Sequence, residues 1–150
     1  MVNAISIAGD LVASSSFDHK VKLWSMRTKK EVAAMEHDDW VWCVVLHNDT
    51  VISASDDKTV RVWETRTGKL MHTWYHLDIC NNLDISPDKK ILAVAYGSDQ
   101  RNGGVSLFDI SSYKKLGEVK LDNPKDVRFL NDQTIIAGNY DGEINMITMN

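Results

Sequence analysis

His37, Ser53 and Asp57 supply the side chains of a nucleophilic triad: a hydroxyl, an imidazole to take its proton and a carboxylate to orient the imidazole. No G-x-S-x-G elbow accompanies Ser53. His37, Cys43, His72, His76 and Cys80 are the candidate metal ligands, but no C-x-x-C pair occurs. His72 and His76 would share a face only on a helix, whereas they fall at the end of a strand and in a loop. No G-x-x-x-x-G-K-[ST] phosphate loop and no G-x-G-x-x-G turn is present, and Gly103-Gly104 reads as a hairpin tip. The expectation is therefore no catalytic residue, no metal and no cofactor. A hydrolase or metal-dependent enzyme stays as the alternative, to be separated by recurrence, since a catalytic set need occur only once.

The elements that carry these residues recur. Val21-Lys22-Leu23-Trp24, Val60-Arg61-Val62-Trp63, Val105-Ser106-Leu107-Phe108 and Ile144-Asn145-Met146-Ile147 align, with their last residues 39, 45 and 39 positions apart. Insertions at Ser86 to Lys90 and Asp99 to Gly104 account for the longer interval. Asp18, Asp57 and Asp141 each stand six residues before the landmark, and Asp99 is the best match in the third repeat. A strand of small residues precedes each Asp: Val12 to Ser16, Ile52 to Ser55, Leu92 to Ala95 and Ile136 to Gly138. Before that comes an alternating apolar strand marked by Ile5 and Ile7, Val44 and Leu46, Leu83 and Ile85, and Val127 and Phe129. Period-two alternation broken by Asp, Asn, Gly and Lys turns predicts an all-β chain of four units, with repeats at about 1–36, 37–75, 76–119 and 120–150 of a single domain.

The 150 residues carry a net charge of −4, which argues against a phosphate-tracking nucleic-acid binder. No apolar run approaches the ~20 residues that span a bilayer, and the N-terminus lacks a signal-peptide pattern. Two isolated cysteines fit a reducing compartment, hence the cytoplasm or nucleus, and read as small buried hydrophobes.

A repeat of about 40 residues with a small-residue strand, an Asp turn and a strand ending in Trp resembles the WD-repeat family. Val51 to Trp63 carries the resemblance most strongly; the third and fourth repeats lack the Trp. The resemblance implies a β-propeller of four-stranded blades, partial here, with the last blade lacking its outer strand. It also implies a buried network in each well-formed blade: His37, Ser53 (or Ser55), Asp57 and Trp63 in the second, and Ser14, Asp18 and Trp24 in the first, whose His would precede Met1. The third retains His76 and Asp99, with Ala95 and Phe108 in the other places, and the fourth retains Asp141. Trp24, Trp63 and Phe108 are core by position; Trp40, Trp42, Trp74 and Tyr75 lie near strand ends and loops.

By the same resemblance, one face of the ring gathers Phe17, Asp56, Ser98 and Tyr140, with Asp39 and Trp40 at the entry to an inner strand and Arg101 projecting from an insertion. That mixture suits a protein or peptide partner on a non-catalytic interaction scaffold. The turns Ile7 to Leu11 and Leu46 to Val51 resemble those of F-box/WD proteins, which recruit substrates to a ubiquitin ligase. Four blades would leave apolar end faces and a free strand edge. Either the rest of a longer propeller or a second copy of the chain is expected to cover them.

Overall fold

The computed structural model describes residues 1–98 and 103–149. Fifteen strands follow one another: β1 (Val2–Ala8), β2 (Leu11–Ser16), β3 (Lys20–Ser25), β4 (Lys30–Glu36), β5 (Val41–His47), β6 (Thr50–Ser55), β7 (Thr59–Glu64), β8 (Leu70–Tyr75), β9 (Cys80–Ile85), β10 (Ile91–Tyr96), β11 (Gly104–Asp109), β12 (Lys115–Lys120), β13 (Pro124–Asn131), β14 (Thr134–Asn139) and β15 (Ile144–Thr148). They form four antiparallel meanders, β1–β4, β5–β8, β9–β12 and the three-stranded β13–β15, in which β15 is an edge. The chain divides into two compact units, Met1–His76 and Leu77–Asn150, each holding two sheets.

The middle strands explain the small-residue runs. β6 and β10 are buried almost throughout, and small side chains suit strands packed that closely. In the first unit, Ala13, Val21, Leu23 and Met35 of the first sheet pack on Val41, Val44, Val51 and Trp63 of the second. The second unit repeats the arrangement in the same register: Ala93, Ala95, Val105 and Leu107 meet Val127, Ile135 and Ala137, with Ile147 at the place of Trp63. Each junction thus joins the trailing face of one sheet to the leading face of the next.

The free faces follow from the same register. Trp24 lies on the leading face of the first sheet and is 37% exposed, so it is not a core residue as its position in the repeat suggested. Nothing in its unit packs on that face, which also presents Ile5 and Ile7. Ile144 and Met146 are the exposed counterparts on the trailing face of the fourth sheet. Gly103-Gly104 is a tight packing point where β11 starts: a Cβ on Gly104 would stand 2.5 Å from the Val119 carbonyl oxygen.

A β-bulge recurs at the start of every first strand, between Val2 and Ala4, Val41 and Cys43, Cys80 and Asn82, and Pro124 and Asp126. It extrudes Asn3, Trp42, Asn81 and Lys125 from the ladder and re-aims their side chains. Asn3 Nδ2 donates to the Val41 carbonyl at 2.8 Å, and Asn81 Nδ2 donates to the equivalent Pro124 carbonyl at 2.9 Å. Three residues further on, Ser6 Oγ accepts the Leu46 N–H at 2.9 Å, and Asp84 Oδ2 accepts the equivalent Phe129 N–H at 2.7 Å. The same two side-chain rivets therefore join the sheets within each unit.

Candidate interaction surface and the network beneath it

In the second sheet the Trp63 indole N–H donates to Ser53 Oγ at 2.9 Å, and Ser53 Oγ lies 2.7 Å from His37 Nε2. His37 Nδ1 is 2.8 Å from Asp57 Oδ2. The proton count closes with a neutral imidazole: Trp63 donates to Ser53, Ser53 to His37 Nε2, and His37 Nδ1–H to Asp57. Thr59 adds its hydroxyl to Asp57 Oδ1 at 2.6 Å, and Arg61 Nη2 reaches Asp57 Oδ2 at 3.1 Å while also bonding Asp38. Burial holds the His37 ring below the ordinary imidazole value, against the pull of Asp57. Burial acts to raise Asp57, but the bonds from His37 and Thr59 win and hold its carboxyl well below the usual range.

This chain of atoms has the order of a hydrolytic triad without its access. Ser53 is 0% exposed, and its oxygen already accepts the Trp63 indole proton, so no substrate carbonyl reaches it. Ser55 is engaged elsewhere, its hydroxyl donating to the Asp39 carbonyl at 3.2 Å. The arrangement rigidifies a blade, because every buried polar member is satisfied.

The other sheets keep less of it. Ser14 lies half-buried between Ile5 and Lys22, Asp18 accepts the Lys20 N–H at 3.1 Å, and Lys22 Nζ sits 5.6 Å over the Trp24 ring. In the third sheet, register puts Val94 rather than Ala95 at the place of Ser53. Phe108, like Trp63, is buried. His76 occupies the place of His37: its N–H donates to the Lys58 carbonyl as that of His37 donates to His19, both at 2.9 Å. Asp141 is exposed in a turn, and Ala137 and Ile147 stand where Ser53 and Trp63 do, so no buried network forms around it. Asp99 and Arg101 lie outside the described residues.

The candidate partner residues of the first unit converge. Phe17 and Trp40 have ring centroids 4.6 Å apart, and Trp42 meets Phe17 edge-on at 5.1 Å and Trp40 at 6.1 Å. Trp40 is 44% exposed. Asp39 Oδ1 accepts the Trp40 backbone N–H at 2.8 Å, and Asp56 Oδ1 accepts the Trp42 indole N–H at 2.5 Å. His19 Nε2 is 4.0 Å from Asp39 Oδ1. Trp42 and His19 were not singled out as partner residues from sequence; the bulge that turns Trp42 outward is a register feature that no residue type announces.

In the second unit the register shifts one assignment. Gly97, whose N–H donates to the Ile79 carbonyl, stands where Asp56 does, with its N–H on the Trp40 carbonyl. Ser98 is one residue on, and its N–H and hydroxyl both donate to the buried Asp78, at 2.9 and 2.6 Å. Tyr140 is exposed at the turn after β14.

Of the candidate metal ligands, Cys43 and Cys80 are buried and not joined in a disulfide, and His72 packs edge-on against Trp74 at 4.9 Å. Among the described residues no group of three or more His, Cys, Asp or Glu is placed to hold a metal, and no helix is long and apolar enough to cross a membrane.

Four sequential antiparallel meanders with a repeated register, a Trp–Ser–His–Asp chain and recurring bulges define blades of the β-propeller class. Residues 2–25 and 29–64 match the family model for the WD domain, G-beta repeat. The first unit therefore carries WD repeats. No curated protein sequence matches it. Among solved structures it is similar to the computationally designed Ika4 protein, with a TM-score of 0.88 and 21% identity over 100% of this chain and 92% of that one. It is also similar to the computationally designed Ika8 protein, at a TM-score of 0.86 and 21% identity over 99% of this chain and 46% of that one. Both likenesses speak to the fold alone. WD repeats are in general interaction scaffolds rather than catalysts.

Proposed function

We propose that the chain is a non-catalytic protein-interaction scaffold whose partner surface in the first unit is centred on Phe17, Trp40 and Trp42, with Asp39 and Asp56 beside them. The observation that carries this reading is a cluster of three large aromatic rings, from the turn after β2 and the entry to β5, whose Trp40 remains 44% exposed. Exposed tryptophan next to fixed polar groups is the composition of a binding hot spot. A photo-crosslinking residue placed at position 40, and another at the exposed position 114, test it in cells. Discrete protein adducts at 40 that are missing at 114 support the reading; adducts of equal number at both refute it.

A second feature concerns the ends. Ile5, Ile7 and Trp24 on one face, and Ile144 and Met146 on another, are exposed counterparts of residues that interlock within each unit. We infer that further WD blades, of a longer chain or of a second copy, cover them. The mass in solution decides: a value near twice 16.9 kDa supports self-association. A monomer places the missing blades elsewhere in the gene product. Recruitment of substrates to a ubiquitin ligase is the narrower role proposed from the short turns. An F-box-like helical segment upstream supports that role, and a reading frame of 150 codons refutes it. The two buried thiols fit the cytoplasm or nucleus, which a fluorescent fusion would show.

A further inference from the structure

We propose that the Phe17–Trp40–Trp42 cluster receives a lysine or arginine side chain from a basic segment of a partner protein. The proposal rests on the reading of this cluster as the partner surface and names the chemistry that it selects.

The first ground is what Trp42 replaces. At its bulge position the first and third blades carry Asn3 and Asn81, each riveting its blade to the next. At the position of the second rivet, where those blades have Ser6 and Asp84, the second blade has Val45. The second blade therefore has neither polar residue at these two positions. In exchange, the bulge sends an indole toward Phe17 and Trp40. A structural repeat gains nothing from that exchange, whereas a binding surface gains a ring.

The second ground is charge. Two carboxylates are fixed at the cluster: Asp39 on the Trp40 backbone N–H, and Asp56 on the Trp42 indole N–H. Arg61 does not neutralise them, because its guanidinium is engaged with Asp57, Asp38 and the Glu36 carbonyl. His19, 4.0 Å from Asp39, is the neighbour with which an incoming cation would share that carboxylate. An acidic partner would be repelled here. A neutral apolar side chain would strip water from Asp39 and Asp56 and return no hydrogen bond. A guanidinium or ammonium meets the ring faces and the carboxylates together.

The test is titration of the full chain, labelled with nitrogen-15, by three short peptides: acetyl-Gly-Gly-Arg-Gly-Gly-amide and its citrulline and glutamate counterparts. The indole N–H signals of Trp40 and Trp42 report the site. The expected result is a shift with the arginine peptide, binding at least about fivefold weaker with citrulline, and no shift with glutamate. Asp39→Asn and Asp56→Asn each weaken arginine binding by about three- to tenfold. Trp40→Leu weakens it by about tenfold, and Trp40→Phe recovers part of that loss; a structural role would not separate the two in this way. Variants are compared at unchanged urea midpoints. Equal shifts with arginine and citrulline overturn the cation proposal and leave the cluster as a partner surface. Silence from both indoles with all three peptides overturns the cation proposal as well; the partner surface itself then stands or falls on the crosslinks at position 40.

Discussion

Removing the Ser53 hydroxyl should destabilise the first unit more than any single methyl deletion nearby. Ser53→Ala takes away one oxygen that serves two buried partners: the Trp63 indole N–H at 2.9 Å and His37 Nε2 at 2.7 Å. The indole N–H and His37 Nε2 both lose that partner. Each orphaned group costs about 1–3 kcal/mol, so the substitution costs roughly 2–6 kcal/mol. Trp63→Phe removes one of the orphans, and the double variant should therefore lose less than the sum of the singles. The expected coupling is about 1–2 kcal/mol. The third blade makes the apolar solution plausible, because Val94 and Phe108 stand at the two places there and are buried. All five tryptophans, at positions 24, 40, 42, 63 and 74, lie in the first unit, so urea unfolding followed by intrinsic fluorescence reads that unit alone. A loss below about 0.5 kcal/mol for Ser53→Ala, or additive single and double variants, would show that the network stores no such energy.

Other outcomes follow from the same geometry. His37 has its folded-state pKa depressed by burial, so the unfolded chain binds the proton more tightly. Stability of the first unit is complete above about pH 6.5 and falls as the solution is acidified below it. Asp57 is also depressed, and its share is retained until the pH drops below about 3.9, the ordinary Asp value. A fluorescence-detected urea midpoint that stays flat or rises between pH 7.5 and 5.5 would contradict the first of these. Ser106 is fully buried and its hydroxyl finds no partner among the described residues, so Ser106→Ala should slow amide exchange in β10 and β11, by about 1 kcal/mol of added stability. Faster exchange there would show that the hydroxyl is satisfied. Asn3→Ala should cost the first unit about 1 kcal/mol, and Asn81→Ala, which loses bonds to both Gly97 and Pro124, about twice that in the second. Unchanged exchange protection of β5 and β13 in the respective variants would remove the rivets from the account.

The fold was legible because it is written four times. Alternation, turn residues and the spacing of Trp24, Trp63, Phe108 and Ile147 each give weak signals that repetition makes strong. The strand order and sheet boundaries follow from that period. The site was legible only where a side chain lies in an Asp turn, as Phe17 and Asp56 do, or at the entry to a first strand, as Asp39 and Trp40 do. Ser98 was misplaced by one residue and Ala95 by one, because a bulge or insertion shifts register without changing composition. Trp24 kept its repeat position and lost its burial, since burial depends on a neighbouring sheet and not on the strand itself. Asn3 and Asn81 gave a readable sign, the same amide at the same phase two repeats apart, but an isolated Asn near a turn carries too many meanings to single out.

β15 has a wider consequence for handling the protein. It is the edge of its sheet, and its residues Ile144-Asn145-Met146-Ile147-Thr148 contain no charge and no proline. Natural sheets commonly place lysine, proline or an inward charge at such a border to stop other chains from extending it. With no such gatekeeper here, the strand is a template for β-addition. Fibre or gel formation at high concentration should be nucleated at this border, and a single lysine at position 145 should delay it without touching the aromatic surface at the other end of the sequence.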